Sequence, residues 1–174
     1  MPINYEQMFK DALRLAFKKD TEGNIGLDSD GLCALGVCYM NGYGTEKNDK
    51  KAFNSLSMAV DLGNVEAICY LAQCYIDGIG TEKDEEKGFY YLKKAAELGV
   101  SNAYLGLCLC YFCGTGTAKD LDESFYYVKK AAEMGVVPAL SNLADFYEHG
   151  WGTVQNLEIA EKLRAEYNEK IKNL

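Results

Sequence analysis

A short glycine motif recurs at a fixed interval along this chain of 174 residues. The motif GYGTEKND begins at Gly42, and the related stretches GIGTEKDE, GTGTAKDL and GWGTVQNL begin at Gly78, Gly114 and Gly150. Each interval is 36 residues. Self-similarity at such a period is typical of arrays of small units, each of which buries its apolar face against its neighbours. The interval therefore predicts a repeat architecture.

The segment before each motif has the apolar spacing of an α-helix. A leucine stands seven residues before the motif glycine, a tyrosine three residues before it and a small residue eleven before it. Residues four apart share one face of a helix, so these positions form one stripe. We name this predicted helix A; its repeated positions are Leu35, Leu71, Leu107 and Leu143, with Tyr39, Tyr75, Tyr111 and Tyr147, and with Gly31, Ala67, Ala103 and Ala139.

A second helix is predicted after each motif. Asn48, Asp84, Asp120 and Asn156 stand six residues after the motif glycines, and such short polar side chains can accept a hydrogen bond from a free amide of the first helical turn. A small residue follows four positions later, at Ala52, Gly88, Ser124 and Ala160. Gly63, Gly99 and Gly135 are placed as left-handed residues that end this helix. We name it helix B.

The motif glycines are better explained as turn residues than as a phosphate-binding loop. A P-loop needs a preceding strand and a Lys-Ser/Thr pair after the glycines, whereas here a helix precedes them and no such pair follows. The first glycine can end helix A, and the second permits a positive φ in the turn. Each unit is therefore predicted as helix A, glycine turn, helix B and glycine stop.

The second unit resembles the consensus of the Sel-1-like repeat family, a relative of the tetratricopeptide repeat. The resemblance covers about residues 31–165 in four in-register copies. Gly31, Gly88 and Ser124 depart from it by replacing alanine, and Tyr167 and Asn168 replace its Ala-Ala pair. The matching residues are Ala67, Leu71, Tyr75, Gly78, Gly80, Asp84, Lys87, Tyr91, Ala95, Ala96 and Gly99.

The predicted fold class is an all-α solenoid of four 36-residue helix-turn-helix repeats with terminal capping helices. The resemblance implies that it winds into a right-handed superhelix whose A helices line the concave side. The array is predicted over 31–174 as one structural domain, with repeats at about 31–66, 67–102, 103–138 and 139–174. Residues 1–30 are predicted as a capping helix and a loop.

Both ends of the array are predicted to be capped. Residues 5–19 place Phe9, Ala12, Leu13, Ala16 and Phe17 on one face of an N-terminal helix, and a polar outer face suits the last helix, about 157–172, to the same role. Residues 20–30 are predicted as an ordinary loop. A weak likeness to a calcium loop fails because Lys18 and Ser29 occupy its first and twelfth ligand positions.

Composition limits the classes of partner. The formal charge of −8 argues against binding of a nucleic-acid backbone and would attract a basic partner. No apolar run is long enough for a membrane span, so no membrane partner is predicted. The first residues contain no apolar signal segment, and the seven cysteines form an odd number. Reduced thiols and a cytoplasmic location are therefore expected.

The cysteines are better explained as small packed residues than as ligands. All seven lie in predicted A helices; the secreted, cysteine-rich branch of the family instead has disulfides to its B helices, so that branch's activities do not carry over. Cys110 and Cys113 alone are too few for a structural zinc site; a site that adds His149 is conceivable, but the packing explanation is favoured over it. No metal and no cofactor are predicted. A single histidine also offers no nucleophile–base pair, so no catalytic residues are predicted.

A partner-binding strip follows from the helix geometry. If Leu71 and Tyr75 face the neighbouring layers, then positions 70, 73, 74 and 77, and their equivalents, are predicted to face the concave side. Val37, Leu109 and Phe146 are unfavourable residues to leave in solvent, which favours binding over an unused groove. The predicted strip is Val37, Cys38, Asn41, Tyr70, Gln73, Cys74, Asp77, Leu109, Cys110, Cys113, Asn142, Asp145, Phe146 and His149, with Ala34 and Gly106 completing the repeat positions.

Three functions are compatible with this pattern. The resemblance implies a non-catalytic adaptor or regulator that binds another protein or peptide in the groove. An immunity-like or antitoxin-like inhibitor of a basic toxin enzyme is the alternative, because the chain is small and acidic. A hydrolase that works from the groove is a third hypothesis, and it has no nucleophile–base pair to support it.

Overall fold

The computed structural model describes residues 3–19 and 25–173, and within those ranges it contains nine α-helices and one two-stranded hairpin. The elements are α1 Tyr5–Ala16, β1 Phe17–Lys19, β2 Ile25–Leu27, α2 Ser29–Asn41, α3 Asp49–Asp61, α4 Ala67–Asp77, α5 Glu85–Glu97, α6 Ser101–Cys113, α7 Leu121–Glu133, α8 Val137–His149 and α9 Leu157–Lys172. The predicted A helices are α2, α4, α6 and α8, and the predicted B helices are α3, α5, α7 and α9. The all-α repeat fold is therefore confirmed.

The chain divides into two compact units, Met1–Tyr91 and Leu92–Leu174. In the first unit the core includes Leu32, Leu35 and Leu56. In the second it includes Val128 and Leu143. The predicted leucine row is buried in both units, with exposed fractions of 3, 2, 1 and 6% at Leu35, Leu71, Leu107 and Leu143.

The helix ends are formed by the predicted residues. Gly42, Gly78, Gly114 and Gly150 adopt φ of 74°, 72°, 79° and 70°, the left-handed conformation that ends a helix. At the start of α3 the side chain of Asn48 accepts a hydrogen bond of 2.9 Å from the amide of Lys51, and Asp84, Asp120 and Asn156 cap their helices in the same way. Both the glycine ends and the N-caps are confirmed.

A backbone hydrogen bond closes each glycine turn. The amide of Asn48 donates to the carbonyl of Tyr39 over 2.9 Å, and the amide of Asp84 donates to Tyr75 over 2.7 Å. Asp120 and Asn156 donate to Tyr111 and Tyr147 in the same way, over 2.9 and 2.7 Å. The N-cap residue of each B helix is thus fixed to the last turn of the preceding A helix.

The second glycine of the motif is needed for close packing as well as for its positive φ. A Cβ on Gly80 would lie 2.1 Å from the carbonyl oxygen of Asp49, at the start of α3, and a Cβ on Gly152 would lie 2.0 Å from that of Leu121, at the start of α7. No side chain fits at such a distance. The glycine turn of one repeat therefore sits directly on the first residue of the preceding B helix.

Aromatic rings fill the space between successive helices. The rings of Tyr75 and Tyr91 stack with centroids 5.6 Å apart, and Phe53 meets Tyr75 edge-on at 5.5 Å. In the second unit Tyr111 stacks on Tyr127 at 5.5 Å. The predicted role of the repeated tyrosines in packing is confirmed.

Helix α1 occupies the place of a B helix that precedes the first repeat. A Cβ on Gly44 would lie 2.2 Å from the carbonyl oxygen of Tyr5, the first residue of α1. Asp49 and Leu121 are likewise the first residues of their helices, and they meet Gly80 and Gly152. The packing role predicted for the N-terminal helix is thus explained by its position in the repeat.

The N-terminal helix is shorter than the predicted range of residues 5–19. The helix stops at Ala16, and residues 17–19 and 25–27 form an antiparallel hairpin in which Phe17 pairs with Leu27. Phe17 is 44% exposed and not part of the helical apolar face. Residues 20–24 of the predicted loop lie outside the described part of the chain. Position 31 has glycine where the family consensus has alanine, because a Cβ there would lie 2.2 Å from the amide nitrogen of Ala16.

Candidate functional site

One row of the predicted strip is buried. Cys38, Cys74, Cys110 and Phe146 have exposed fractions of 1, 0, 3 and 4%, so they cannot contact a partner as folded. At about 100° per helical residue, Cys74 lies only about 60° around the helix from Leu71, which is within the apolar stripe. Tyr70, Gln73 and Asp77 lie about 100–160° from Leu71. The strip is therefore corrected by removal of these four residues.

In the first unit, five predicted residues on α2 and α4 remain exposed or half-buried; we name them the unit-1 surface. Asn41, Gln73 and Asp77 are exposed, Tyr70 is 36% exposed and Val37 is half-buried. The starts of the two helices are linked by a side-chain contact. The side-chain amide of Asn64, just before α4, donates a hydrogen bond of 2.7 Å to the carboxylate of Asp30 in α2. The surface combines an aromatic ring, amides and one carboxylate.

The thiols beside the unit-1 surface are held in their neutral form. Burial raises the pKa of Cys33, Cys69 and Cys74 to about 11, and nearby carboxylates add to the effect at each. At Cys74 those carboxylates are Asp49 and Asp77. Since the thiolate is the reactive form, these cysteines are poor nucleophiles at neutral pH. All seven cysteines are free thiols, and all lie within the described ranges.

In the second unit, five predicted residues remain on α6 and α8; we name them the unit-2 surface. Leu109 is 52% exposed, and Cys113 and His149 are exposed. Asn142 and Asp145 are half-buried. Helices α6 and α8 pack together through Phe112 and Phe146, whose ring centroids are 5.7 Å apart.

The Asp145 carboxylate of this surface is already paired. Nη2 of Arg164, on α9, donates a 2.8 Å hydrogen bond to Asp145 and also bonds to Glu148. Arg164 is not among the residues predicted from the sequence. A signal existed in the sequence: Arg164 stands 36 residues after Val128 and Glu148 stands 36 after Phe112, so two charged residues of opposite sign replace two apolar residues of the preceding repeat.

The imidazole of His149 is held by structural contacts. Its ring stacks on Trp151 with centroids 4.4 Å apart, and its Nδ1 lies 2.9 Å from the carbonyl oxygen of Asp145. Trp151 also meets Phe112 at 4.9 Å. Of the proposed ligands Cys110 is buried and Cys113 is exposed, and among the described residues no group of three or more His, Cys, Asp or Glu side chains is placed to hold a metal ion.

None of the helices in the described ranges combines the length and the apolar character needed to cross a bilayer.

The chain is similar to several solved structures. One is the Sel1 repeat protein from Oxalobacter formigenes, with a TM-score of 0.78 and 26% identity, covering 96% of this chain and 70% of that one. Another is c5321, described as a protective antigen of uropathogenic Escherichia coli strains displaying an SLR fold, with a TM-score of 0.73 and 25% identity. That match covers 97% of this chain but 34% of c5321, so the chain spans about a third of its length.

A third structure, immunity protein Pa5087 from Pseudomonas aeruginosa, is similar in fold, with a TM-score of 0.53 and 22% identity over 85% of this chain and 60% of that one. None of the curated proteins compared with this sequence matches it significantly.

The model of the Sel1 repeat matches four consecutive segments, residues 29–64, 65–100, 101–136 and 137–163. These segments include all four A helices, all four glycine turns and the start of every B helix. The chain belongs to the Sel1 repeat family.

Proposed function

We propose that this protein is a non-catalytic adaptor or regulator that binds a partner protein or peptide through the exposed rows of its A helices. The observation that carries the proposal is the exposure of apolar and aromatic side chains on these rows: Leu109 is 52% exposed and Tyr70 is 36% exposed. Burying such groups favours association, and an apolar centre with polar edges is typical of protein interfaces.

The family and the rigidity of the scaffold support this proposal. Sel1 repeat proteins are generally protein-interaction modules. The A helices end at left-handed glycines, and the amides of Asn48 and Asp84 bond to the tyrosine carbonyls in the last turns of α2 and α4. A surface ordered before binding loses less conformational entropy when the partner arrives. The seven free thiols favour a reducing compartment, so the proposed location is the cytoplasm.

The charge of the chain indicates where a basic partner would bind. The formal charge of −8 favours a basic partner overall. Asp145 already accepts a hydrogen bond from Arg164, whereas Asp77 is exposed at the end of α4. We therefore place the charged contact of the partner at Asp77 and an apolar contact at Leu109.

Site-specific photo-crosslinking tests the proposed surfaces. A photoreactive amino acid would replace Gln73 or Leu109, and, as controls, Asn54 or Lys129, which are exposed on B helices. We expect a discrete protein adduct in the producing cell from Gln73 and Leu109 and none from Asn54 and Lys129. Adducts only from the two control positions would place the interface on the B helices and contradict the proposal.

Charge substitution tests the placement of the basic contact. Once the crosslinked partner is purified, Asp77→Lys should weaken its affinity by about tenfold or more, because an attraction becomes a repulsion. Asp145→Asn should change the affinity by less than about threefold, since Arg164 already occupies that carboxylate. Equal losses of affinity from both substitutions would show that the pairing of Asp145 with Arg164 does not determine where the basic partner binds.

Inhibition of a basic toxin enzyme remains a second candidate function because of the same acidic charge. This function needs a partner that is an enzyme and is itself basic. The purified partner should then lose its activity at one equivalent of this protein, with an affinity that falls steeply with salt. A partner that keeps its activity in the complex supports the adaptor function instead.

A further inference from the structure

The hairpin of β1 and β2 is an insertion in the repeat. Gly44 lies 39 residues after Tyr5, the first residue of α1, whereas Gly80 and Gly152 lie 31 residues after the first residues of their preceding B helices. The α1 connection is therefore longer by eight residues, and the hairpin lies in this connection. Insertions in repeat arrays map to loops on one face and often carry binding.

The hairpin exposes apolar side chains on one face. All residues of both strands are exposed, with fractions of 44% at Phe17, 61% at Ile25 and 46% at Leu27. Phe17 pairs with Leu27, and Lys19 pairs with Ile25. Paired residues, and residues two apart on a strand, lie on the same face, so these three apolar groups and Lys19 share it. Such a cluster on a small hairpin is the kind of surface that a partner covers.

The sheet formed by this hairpin has only two strands in the described chain. Each strand has one strand neighbour in the described chain, so the outer edge of β1 is open. A two-stranded hairpin is marginally stable by itself, and a third strand would add backbone hydrogen bonds and cover apolar surface. An extended segment of another protein can supply that strand.

The charge at this edge is opposite to that of the whole chain. Strand β1 carries Lys18 and Lys19, and Arg14 is exposed one turn earlier on α1. The formal charge of the chain is −8, so this is a local basic region on an acidic protein. A strand beside β1 would place its side chains opposite the two lysines, where acidic residues are favourable and basic residues are not.

We propose that the β1 edge is a second docking site, which binds an extended acidic segment of a partner protein as a third strand. Carboxylates of the segment lie opposite Lys18 and Lys19, and an apolar side chain of the segment covers Phe17. The site shares no residue with the unit-1 and unit-2 surfaces, so it stands independently of the proposed function.

Two other occupants fit the charges less well. A second copy of the chain that paired through the same edge would place Lys18 and Lys19 close to the lysines of its partner. A surface of anionic lipid would attract the lysines but repel a chain with a formal charge of −8. An acidic peptide segment attracts the edge and leaves the rest of the acidic surface in solvent.

A peptide titration tests the site. The probe is the capped peptide Val-Glu-Glu-Val-Glu-Glu-Val, which can place valine opposite Phe17 and glutamates opposite both Lys18 and Lys19; its charge-reversed control is Val-Lys-Lys-Val-Lys-Lys-Val, and the readout is the amide NMR spectrum of the full chain. We expect the glutamate peptide to shift the amides of residues 17–19 and the lysine peptide to leave them unchanged. Shifts from both peptides, from neither, or only at the A helices would overturn the proposal.

Variants separate this site from general charge attraction. Lys18→Glu with Lys19→Glu should weaken binding of the glutamate peptide by about tenfold or more. Lys94→Glu with Lys129→Glu makes the same charge change on exposed B-helix residues and should alter the affinity by less than about twofold. Equal losses from the two pairs would contradict the site. Phe17→Ser should weaken binding without changing the dependence on salt.

The alternative occupants have their own outcomes. Sedimentation of the chain with phosphatidylglycerol vesicles, abolished by Lys18→Glu with Lys19→Glu, would reassign the edge to a membrane surface. A dimer in sedimentation velocity, abolished by the same pair, would reassign it to a second copy. We expect neither result, and a monomer that leaves the vesicles unbound but binds the glutamate peptide supports the proposal.

Discussion

Arg164 and Asp145 join the last two helices, with Nη2 of Arg164 donating a hydrogen bond of 2.8 Å to Oδ1 of Asp145. The same nitrogen reaches Glu148 one turn further along α8. Val128 and Phe112 occupy the positions of Arg164 and Glu148 in the preceding repeat; Val128 is fully buried in the core and Phe112 packs against that core. The last helix thus uses an ion pair where the earlier repeat uses apolar contact, which suits a helix with a polar outer face.

The Arg164 contact predicts a salt-dependent contribution to stability. Arg164→Gln removes the shared cation and leaves Asp145 and Glu148 facing each other, so we expect a lower Tm, by less than about 3 °C at low salt. The loss should shrink in 1 M NaCl, because salt screens exposed charges. Thermal unfolding at both salt concentrations measures it, and Lys162→Gln, which removes an exposed ion pair on the outer side of α9, is the control. A decrease in Tm that is the same at both salt concentrations would contradict this interpretation.

Gly80 should tolerate substitution less well than Gly63. Both have positive φ, 69° at Gly80 and 89° at Gly63, so alanine costs about 1–2 kcal/mol of unfolding free energy at either. At Gly80 the new Cβ would also lie 2.1 Å from the Asp49 carbonyl oxygen, whereas nothing lies within 4 Å at Gly63. We expect Gly80→Ala to cost at least about 2 kcal/mol more than Gly63→Ala in urea unfolding. Equal losses of unfolding free energy would show that the close approach of Gly80 to the Asp49 carbonyl is not required.

The N-cap of α7 should contribute to stability through its side chain alone. The carboxylate of Asp120 accepts hydrogen bonds of 3.0 and 3.1 Å from the amides of Asp122 and Glu123. Asp120→Ala removes the acceptor and should lower the unfolding free energy by about 1 kcal/mol. Asp120→Asn keeps an acceptor oxygen and should lie within about 0.5 kcal/mol of the parent. If the asparagine variant is as unstable as the alanine variant, the loss comes from charge and not from the cap.

Cys74 should make stability depend on alkaline pH. Its side chain is fully buried, and burial raises its pKa from 9.0 to about 11. The folded protein therefore holds this proton more tightly than the unfolded chain does. The resulting stability is complete below pH 9 and is lost as the pH rises through about 11.

Unfolding free energies between pH 8 and 11 measure the effect of Cys74. Across this range the unfolding free energy of Cys74→Ala should fall less than that of the parent. The difference between the two falls should be at most roughly 2–3 kcal/mol. The exposed Cys113 provides the control Cys113→Ala, which removes a thiol from the surface. Parallel curves for Cys74→Ala and the parent would contradict the expectation.

Most of the repeat could be predicted because its signals are local. The left-handed glycines at 42, 78, 114 and 150 and the caps at Asn48 and Asp84 depend on backbone conformation and on amides within a few residues, and a period of 36 residues repeats them in register. Leucines and tyrosines four residues apart are sufficient to define the inner face of each A helix.

The tertiary structure decided the features that depend on distant segments. The width of the buried stripe is set by what packs on both sides of an A helix, which is why Cys74 is inside while Gln73, one residue earlier, is outside. The partner of Asp145 lies 19 residues away on α9, and the hairpin replaces helix after Ala16, where Gly31 packs against the end of α1. Spacing along one helix defines directions, but burial and charge pairing depend on neighbours that only the folded chain brings together.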